Sequence, residues 1–313
     1  MSPQPGVHVN EDLVRCLAAG ERAAFHGRPV DGVEPLIRAS ELALAEADEP
    51  SAAAATWLLG VCLGASGQYG KAMVTLGPLA ADAAKAPSGN VFGSLAASTL
   101  ASVTRQLGRH AEALEIDNYA LQIAGDSPEA RFDAHVGRVA DLVGVGEGQA
   151  ALAELVELDR MLPGRPDWWR QRVRADWVRA EVALLSDDTT TALDVSRRAV
   201  EAAETADAPR HLAKGLLFEG VALIKAAEEF RAAEVLRRCV HLAERLGALP
   251  LLWASSGVLG ALVVEQDPSE SELALAAARQ AVQTIAEDLP EAYATAWLAR
   301  PDITALLHAG TDV

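Results

Sequence analysis

Aromatic residues are scarce: six Trp, five Phe and three Tyr make up 4% of 313 residues. A core built on large rings is excluded, so the few rings present must be spent at particular junctions. Cys16, Cys62 and Cys239 are too few and too scattered for a disulfide framework or a thiolate metal site, and a reducing cytoplasm is the expected location. Positive charge is in deficit. Lys and Arg number 27 against 44 Asp and Glu, a net charge of −17, which argues against phosphate binding and gives no expectation of a nucleic-acid partner. The opening residues MSPQPGVHVNED hold neither a basic nor an apolar signal region, so no secretory leader is expected. Three uncharged stretches, 50–70, 86–104 and 246–264, are long enough to cross a bilayer, but each is Ala-rich and broken by Gly or Pro. Buried helices are expected there, and no membrane partner.

Half of the residues are hydrophobic, enough for a folded core. Their arrangement repeats. A small or slim residue recurs at Gly20, Gly60, Ala101, Val139, Ala180, Gly220 and Gly260, in steps of 40, 41, 38, 41, 40 and 40. About seven residues after each comes a turn former (Gly27, Gly67, Gly108, Gly146, Asp187, Ala227), and about five later a second small residue. A small residue in mid-helix admits a close neighbour, and the turn former ends the helix, so each unit reads as an antiparallel helix pair. Breakers such as Glu49-Pro50-Ser51, Ala86-Pro87-Ser88-Gly89, Gly125-Asp126-Ser127-Pro128, Pro163-Gly164-Arg165-Pro166 and Ala208-Pro209 separate the units, several with a capping Ser or Asp ahead of Pro.

Leu59-Gly60, Gly67, Tyr69, Ala72, Leu76 and Leu79 together resemble the consensus of the tetratricopeptide repeat (TPR), and a weaker form of that skeleton covers about 11–287. The step of about 40 exceeds the usual ~34, and most aromatic consensus positions hold Ala, Val or Leu. Long repeats of this kind are similar to those in sensor regions of bacterial transcription regulators and signalling ATPases. HEAT-like pairs share the step but lack the Leu-Gly and Gly-x-Tyr-x-x-Ala spacing. The resemblance implies an all-α, right-handed TPR-like solenoid of about seven helix pairs plus a C-terminal capping helix.

The expected organisation is a flexible start over 1–10, a repeat domain over 11–287, and a capping helix and tail over 288–313. The pairs fall at about 11–26 with 30–47, 51–66 with 69–85, 90–107 with 110–124, 128–145 with 148–161, 167–186 with 189–205, 209–227 with 229–246, and 250–265 with 270–287. One last helix, about 291–308, is expected to cover the seventh pair.

Catalytic signals are thin. The histidines have no zinc-helix spacing, the Gly144-to-Gly148 run occupies a repeat turn rather than following a strand, and no nucleophile elbow occurs. No enzymatic activity, cofactor or metal is expected. What the resemblance supplies is a concave face, lined by the first helix of each pair at positions six and three before the anchor and one, four and five after it. That register selects Trp57, Ser98, Ser102, Arg105, Gln106, Arg174, Trp177, Lys214 and Lys225 as binding-groove residues. Cations and rings on the inner face of an acidic chain suit a carboxylate-bearing protein or peptide. The alternative is that these cations pair with Asp133, Glu181 and nearby acids. Trp168 and Trp169 are expected to wedge the junction of the fourth and fifth pairs. Three classes stay open: a protein- or peptide-binding adaptor, a regulatory sensor of a small ligand or signalling peptide, and an enzyme built on a solenoid. An open groove favours the first, and a closed interior favours the other two.

Overall fold

The computed structural model describes residues 10–83 and 90–308, and among them every regular element is a helix. The seven pairs are α1 (Glu11–His26) with α2 (Val33–Ala45), α3 (Glu49–Ala65) with α4 (Tyr69–Ala83), α5 (Val91–Gln106) with α6 (His110–Ile123), and α7 (Pro128–Gly144) with α8 (Gly148–Met161). They continue as α9 (Trp169–Leu185) with α10 (Thr189–Thr205), α11 (Pro209–Lys225) with α12 (Glu229–Leu246), and α13 (Leu249–Val263) with α14 (Pro268–Asp288). A short 3-10 turn, Pro29–Gly32, precedes α2. Of the expected flexible start, residues 1–9 lie outside the described residues, as does the breaker at 86–89. Asn10 is fixed, because its side chain accepts the Leu13 N–H at 3.1 Å and caps α1.

The anchors do what their size allows. A Cβ added to Gly20, Gly60 or Gly220 would stand 2.3–2.7 Å from the side chain of Leu36, Leu76 or Leu236, each sixteen residues further on. A leucine of the second helix therefore fills the space over each glycine, and all three leucines are fully buried. Seven residues beyond the anchors, Gly67, Gly108, Gly146, Asp187 and Ala227 have positive φ, which turns the chain into the second helix.

Successive first helices pack on one another from α1 to α13, whereas successive second helices make no comparable contact, so the first helices line the inside of a curved solenoid. The curvature brings the two ends together. α1 meets α11, and α4 meets α14. His26 Nδ1 lies 3.2 Å from the Asp207 carbonyl, and the Lys71 backbone N–H donates to Asp288 Oδ2 at 3.2 Å. At Gly70 a Cβ would come within 1.9 Å of the Asp288 carbonyl oxygen, so only glycine tolerates this seam.

One expectation needs correction. The last helix is two short ones, α15 (Glu291–Leu298) and α16 (Pro301–His308), because Pro301 cannot continue a helix and starts a new one. Nor do they only cover the seventh pair. Trp297 and Ile303 are buried with Leu63, Tyr69, Val103 and Leu107 of the second and third pairs, and Arg300 donates to the Gln106 carbonyl. Two surface grooves of about 650 and 700 Å³ flank this seam. No described helix is long and apolar enough to cross a membrane.

Gly70→Ala is expected to lower stability by about 1–3 kcal/mol, since a backbone oxygen cannot rotate away. Ala227→Gly is expected to raise it by about 0.5–1 kcal/mol by removing a left-handed alanine. Thermal unfolding of the two variants against the parent chain checks both signs.

Candidate functional site

Inside the ring, the inner faces of α1, α3, α5, α7, α9 and α11 supply a cluster of charges and rings. Arg105 of α5 reaches the buried Asp141 (Nε to Oδ1, 2.7 Å) and Asp117 (Nη2 to Oδ2, 2.7 Å), and also donates to the Gly137 carbonyl. Burial pushes the Asp117 carboxyl well above the usual carboxylate range despite Arg105, with the neighbouring Asp141 adding to the effect. Gly137 is small because Asp117 occupies the space its Cβ would need. Ser98 is buried next to the same carboxyl.

Asp133 of α7 pairs with both Arg170 (3.0 Å) and Arg174 of α9. Burial alone would raise its carboxyl, but the two guanidiniums outweigh that and hold it below the ordinary value. Lys214 of α11 sits 4.7 Å from the Trp177 ring centre and faces Glu181. Burial pulls its ammonium down to about 8, against the pull of Glu181 and with help from Arg105, Arg174 and Arg210.

The rings form a continuous string across the closure. Phe92 lies 6.1 Å from Trp57, Trp57 6.3 Å from Phe25, and Phe25 6.3 Å from His211, whose ring stacks on Trp177 at 5.3 Å and meets Trp169 edge-on at 5.1 Å. Trp57 Nε1 donates to Thr99 Oγ1 at 3.2 Å.

The residues selected from sequence are thus dispersed over several tasks. Arg105 and Arg174 are tied to carboxylates, Trp57 and Trp177 belong to the ring string, and Lys214 faces Glu181. Gln106 accepts from the Tyr69 hydroxyl at 2.8 Å and leans on the Ser102 carbonyl. Lys225 stands apart, exposed at the end of α11 and paired with Asp187 in the turn before α10. Trp168 wedges against Phe132 as expected of the fourth and fifth pairs, but Trp169 turns into the interior, 5.3 Å from His26.

The concave-face register stopped six residues before each anchor and so missed its next turn. Arg170 and Arg210 both lie ten residues before their anchors, Ala180 and Gly220, one helical turn beyond Arg174 and Lys214. Asp117 was also visible as a break in register, since it occupies the position that holds Leu36, Leu76 and Leu236 in other pairs.

Among solved structures, a Rap protein in complex with competence and sporulation factor superposes with a TM-score of 0.59 at 12% identity, over 96% of this chain and 82% of that one. The fold is that of a tetratricopeptide-type solenoid. The apo form of RapI is a more distant likeness, with TM-score 0.46 and 11% identity over 94% of this chain and 84% of that chain. No protein-family profile and no curated protein sequence matches. Within this tetratricopeptide-type solenoid the two buried thiols, Cys62 and Cys239, are pushed up to about 12 by burial and are inert at neutral pH. No described group of three or more His, Cys, Asp or Glu side chains is placed to hold a metal.

Arg105→Met leaves Asp117 and Asp141 buried without their cation and is expected to cost about 3–5 kcal/mol near neutral pH. The raised Asp117 carboxyl takes up its proton in the folded chain at a pH where the unfolded chain has lost it. The deficit should therefore shrink as the pH is lowered from 7 towards 4. Denaturant titrations of variant and parent at several pH values measure it; a deficit that grows on acidification contradicts the assignment.

Proposed function

We propose that this chain is a non-catalytic regulatory module that takes a short carboxylate-bearing peptide, or the extended end of a protein, into the interior of its ring. The observation that carries this reading is electrostatic. Five cations, Arg105, Arg170, Arg174, Arg210 and Lys214, face four carboxyls, Asp117, Asp133, Asp141 and Glu181, inside a chain whose net charge is −17. Burial pushes Asp117 and Glu181 towards their neutral forms, which widens the excess. An incoming carboxylate corrects that imbalance through charge-assisted hydrogen bonds, and Trp57, Trp177 and their neighbouring rings give it apolar walls.

Ser98, Ser102 and Gln106 lie on the same face as Arg105 and serve the backbone of an extended ligand, while Arg174, Trp177 and Lys214 take its charged end; Lys225 marks the rim. The closed seam favours the sensor reading over a scaffold for long partners, because a ring limits the length of chain it can admit. The likeness to the Rap protein in complex with competence and sporulation factor supports a bound signalling partner by analogy of fold alone. In this reading residues 11–287 form the binding body, the helices after 288 latch it, and the protein works in the cytoplasm on a separate effector.

A pool of short peptides rich in Asp and Glu, passed over the immobilised chain, should be retained more strongly than the matched Asn and Gln pool. Lys214→Glu should abolish the difference with helicity intact by circular dichroism. Equal retention of both pools, or retention indifferent to Lys214→Glu, contradicts the proposal.

A further inference from the structure

The groove of about 650 Å³ beside the seam lies outside the interior and is built from two stretches far apart in the chain. One wall is the turn from α5 into α6, residues 107–110, and the other is α15 with Arg300. The walls are tied to each other. The Arg109 guanidinium lies 4.7 Å from the Tyr293 ring centre, and Arg300 Nη1 donates to the Gln106 carbonyl at 3.4 Å. The volume is that of a pocket for a small organic molecule.

None of the lining residues is acidic, whereas Arg109, His110 and Arg300 all line the groove. Two carboxylates outside the lining balance the arginines: Glu112 pairs with Arg109, and Asp302 with Arg300 at 2.7 Å. Arg300 is thereby fully engaged, but Arg109 is exposed and meets Glu112 through Nη2. Arg109 is also the N-cap of α6 and contributes no side-chain cap, so the first N–H groups of that helix have no intrahelical acceptor. They add the partial positive charge of a helix start, about half a unit. With both ion pairs balanced, the remaining attraction suits one negative charge. A carboxylate carries one, where a phosphate monoester carries roughly two.

The α15 side of the groove is slim and apolar. Ala292 and Ala296 stand one turn apart and are exposed, so they form a floor from which little projects, and Tyr293 and Trp297 of the same helix also line it. A planar ring lies flat on such a floor and gains offset or edge contacts with the two aromatic side chains. Trp297 is 1% exposed and its Nε1 has no acceptor, so the wall also holds a buried donor that no described residue answers.

We infer that this groove binds a small aromatic monocarboxylate, its ring on the alanine floor of α15 and its carboxylate at Arg109 and the start of α6. The inference does not rest on the peptide reading. The occupant bridges the third pair and the C-terminal helices, so it binds the closed ring and favours it over an open one. His110 joins the groove to the interior: it lines the groove, and its Nδ1 lies 3.5 Å from Asp141 Oδ1, which accepts from Arg105.

The probe is phenylacetate, compared with phenylacetamide, which lacks the charge, with cyclohexylacetate, which lacks the aromatic ring, and with phenyl phosphate, which carries the larger charge. Calorimetry and tryptophan emission read the binding. Saturable binding of phenylacetate is expected, with all three comparison compounds weaker and the amide at least about tenfold so. Arg109→Gln and Ala296→Glu, both at exposed positions, should each weaken phenylacetate about tenfold or more. Lys214→Glu, in the interior, should leave its affinity unchanged. Phenylacetate should raise the unfolding temperature of the parent chain and not that of Arg109→Gln.

The inference is overturned if phenylacetate shows no saturation up to about 10 mM, or if the amide or cyclohexylacetate binds as well. Tighter binding of phenyl phosphate overturns the single-charge assignment. Binding that survives both Arg109→Gln and Ala296→Glu but is lost in Lys214→Glu places the ligand in the interior and overturns the site. Retention of the acidic peptide pool by Arg109→Gln is a separate outcome, so the groove can fail while the peptide reading stands.

Discussion

The rest of the molecule depends on how closely the two helices of each pair approach. Leu36, Leu76 and Leu236 lie directly over glycines sixteen residues earlier, at distances no side chain on the glycine would permit. That contact sets the spacing inside each pair, and the turn seven residues after the anchor sets the angle of return. The leucine contact recurs in the first, second and sixth pairs and the left-handed turn in the second to sixth, and the seven pairs keep a nearly constant period, so the stack curves. The curvature is tight enough for α1 to reach α11 and for α14 to reach α4.

Closure changes what the inner face means. On an open ribbon Arg105, Arg174 and Lys214 would be solvated cations of little energetic consequence. In a ring they face one another across a partly dehydrated interior, where like charges repel and carboxyls lose their ease of ionisation. The chain meets most of that cost with Asp117, Asp133, Asp141 and Glu181. It leaves part of it standing at Arg210, which burial pulls down to about 10 and for which no carboxylate partner occurs among the described residues.

Much of this was legible in the sequence, for physical reasons that differ from element to element. The anchors, turns and breakers could be read because each is local: a glycine under a leucine, a left-handed turn, a Pro after a capping Ser or Asp. The inner-face register was legible as far as Arg174 and Lys214 and then stopped a turn short of Arg170 and Arg210. Phe25 and His211 come from the first and sixth pairs, so their meeting with Trp57 and Trp177 exists only once the ends have closed. That contact depends on accumulated curvature, to which every pair contributes a little and no motif contributes alone. Trp169 is a similar case. Its neighbour Trp168 serves the adjacent pair, whereas Trp169 serves His26, far away in the chain. The break at Pro301 was the opposite kind of miss, a local signal outweighed by the apolar pattern on both sides of it.

The central claim is that the solenoid closes on itself in solution, because the interior exists only in the closed form. Its most direct test is a distance measurement across the seam, by electron paramagnetic resonance between spin labels at Val74 on α4 and Glu287 on α14, with Cys16 replaced. Both labelled positions are exposed. One short, narrow distance population is predicted for the ligand-free protein. A broad or long distribution, as from an open spiral with separated ends, would contradict the account.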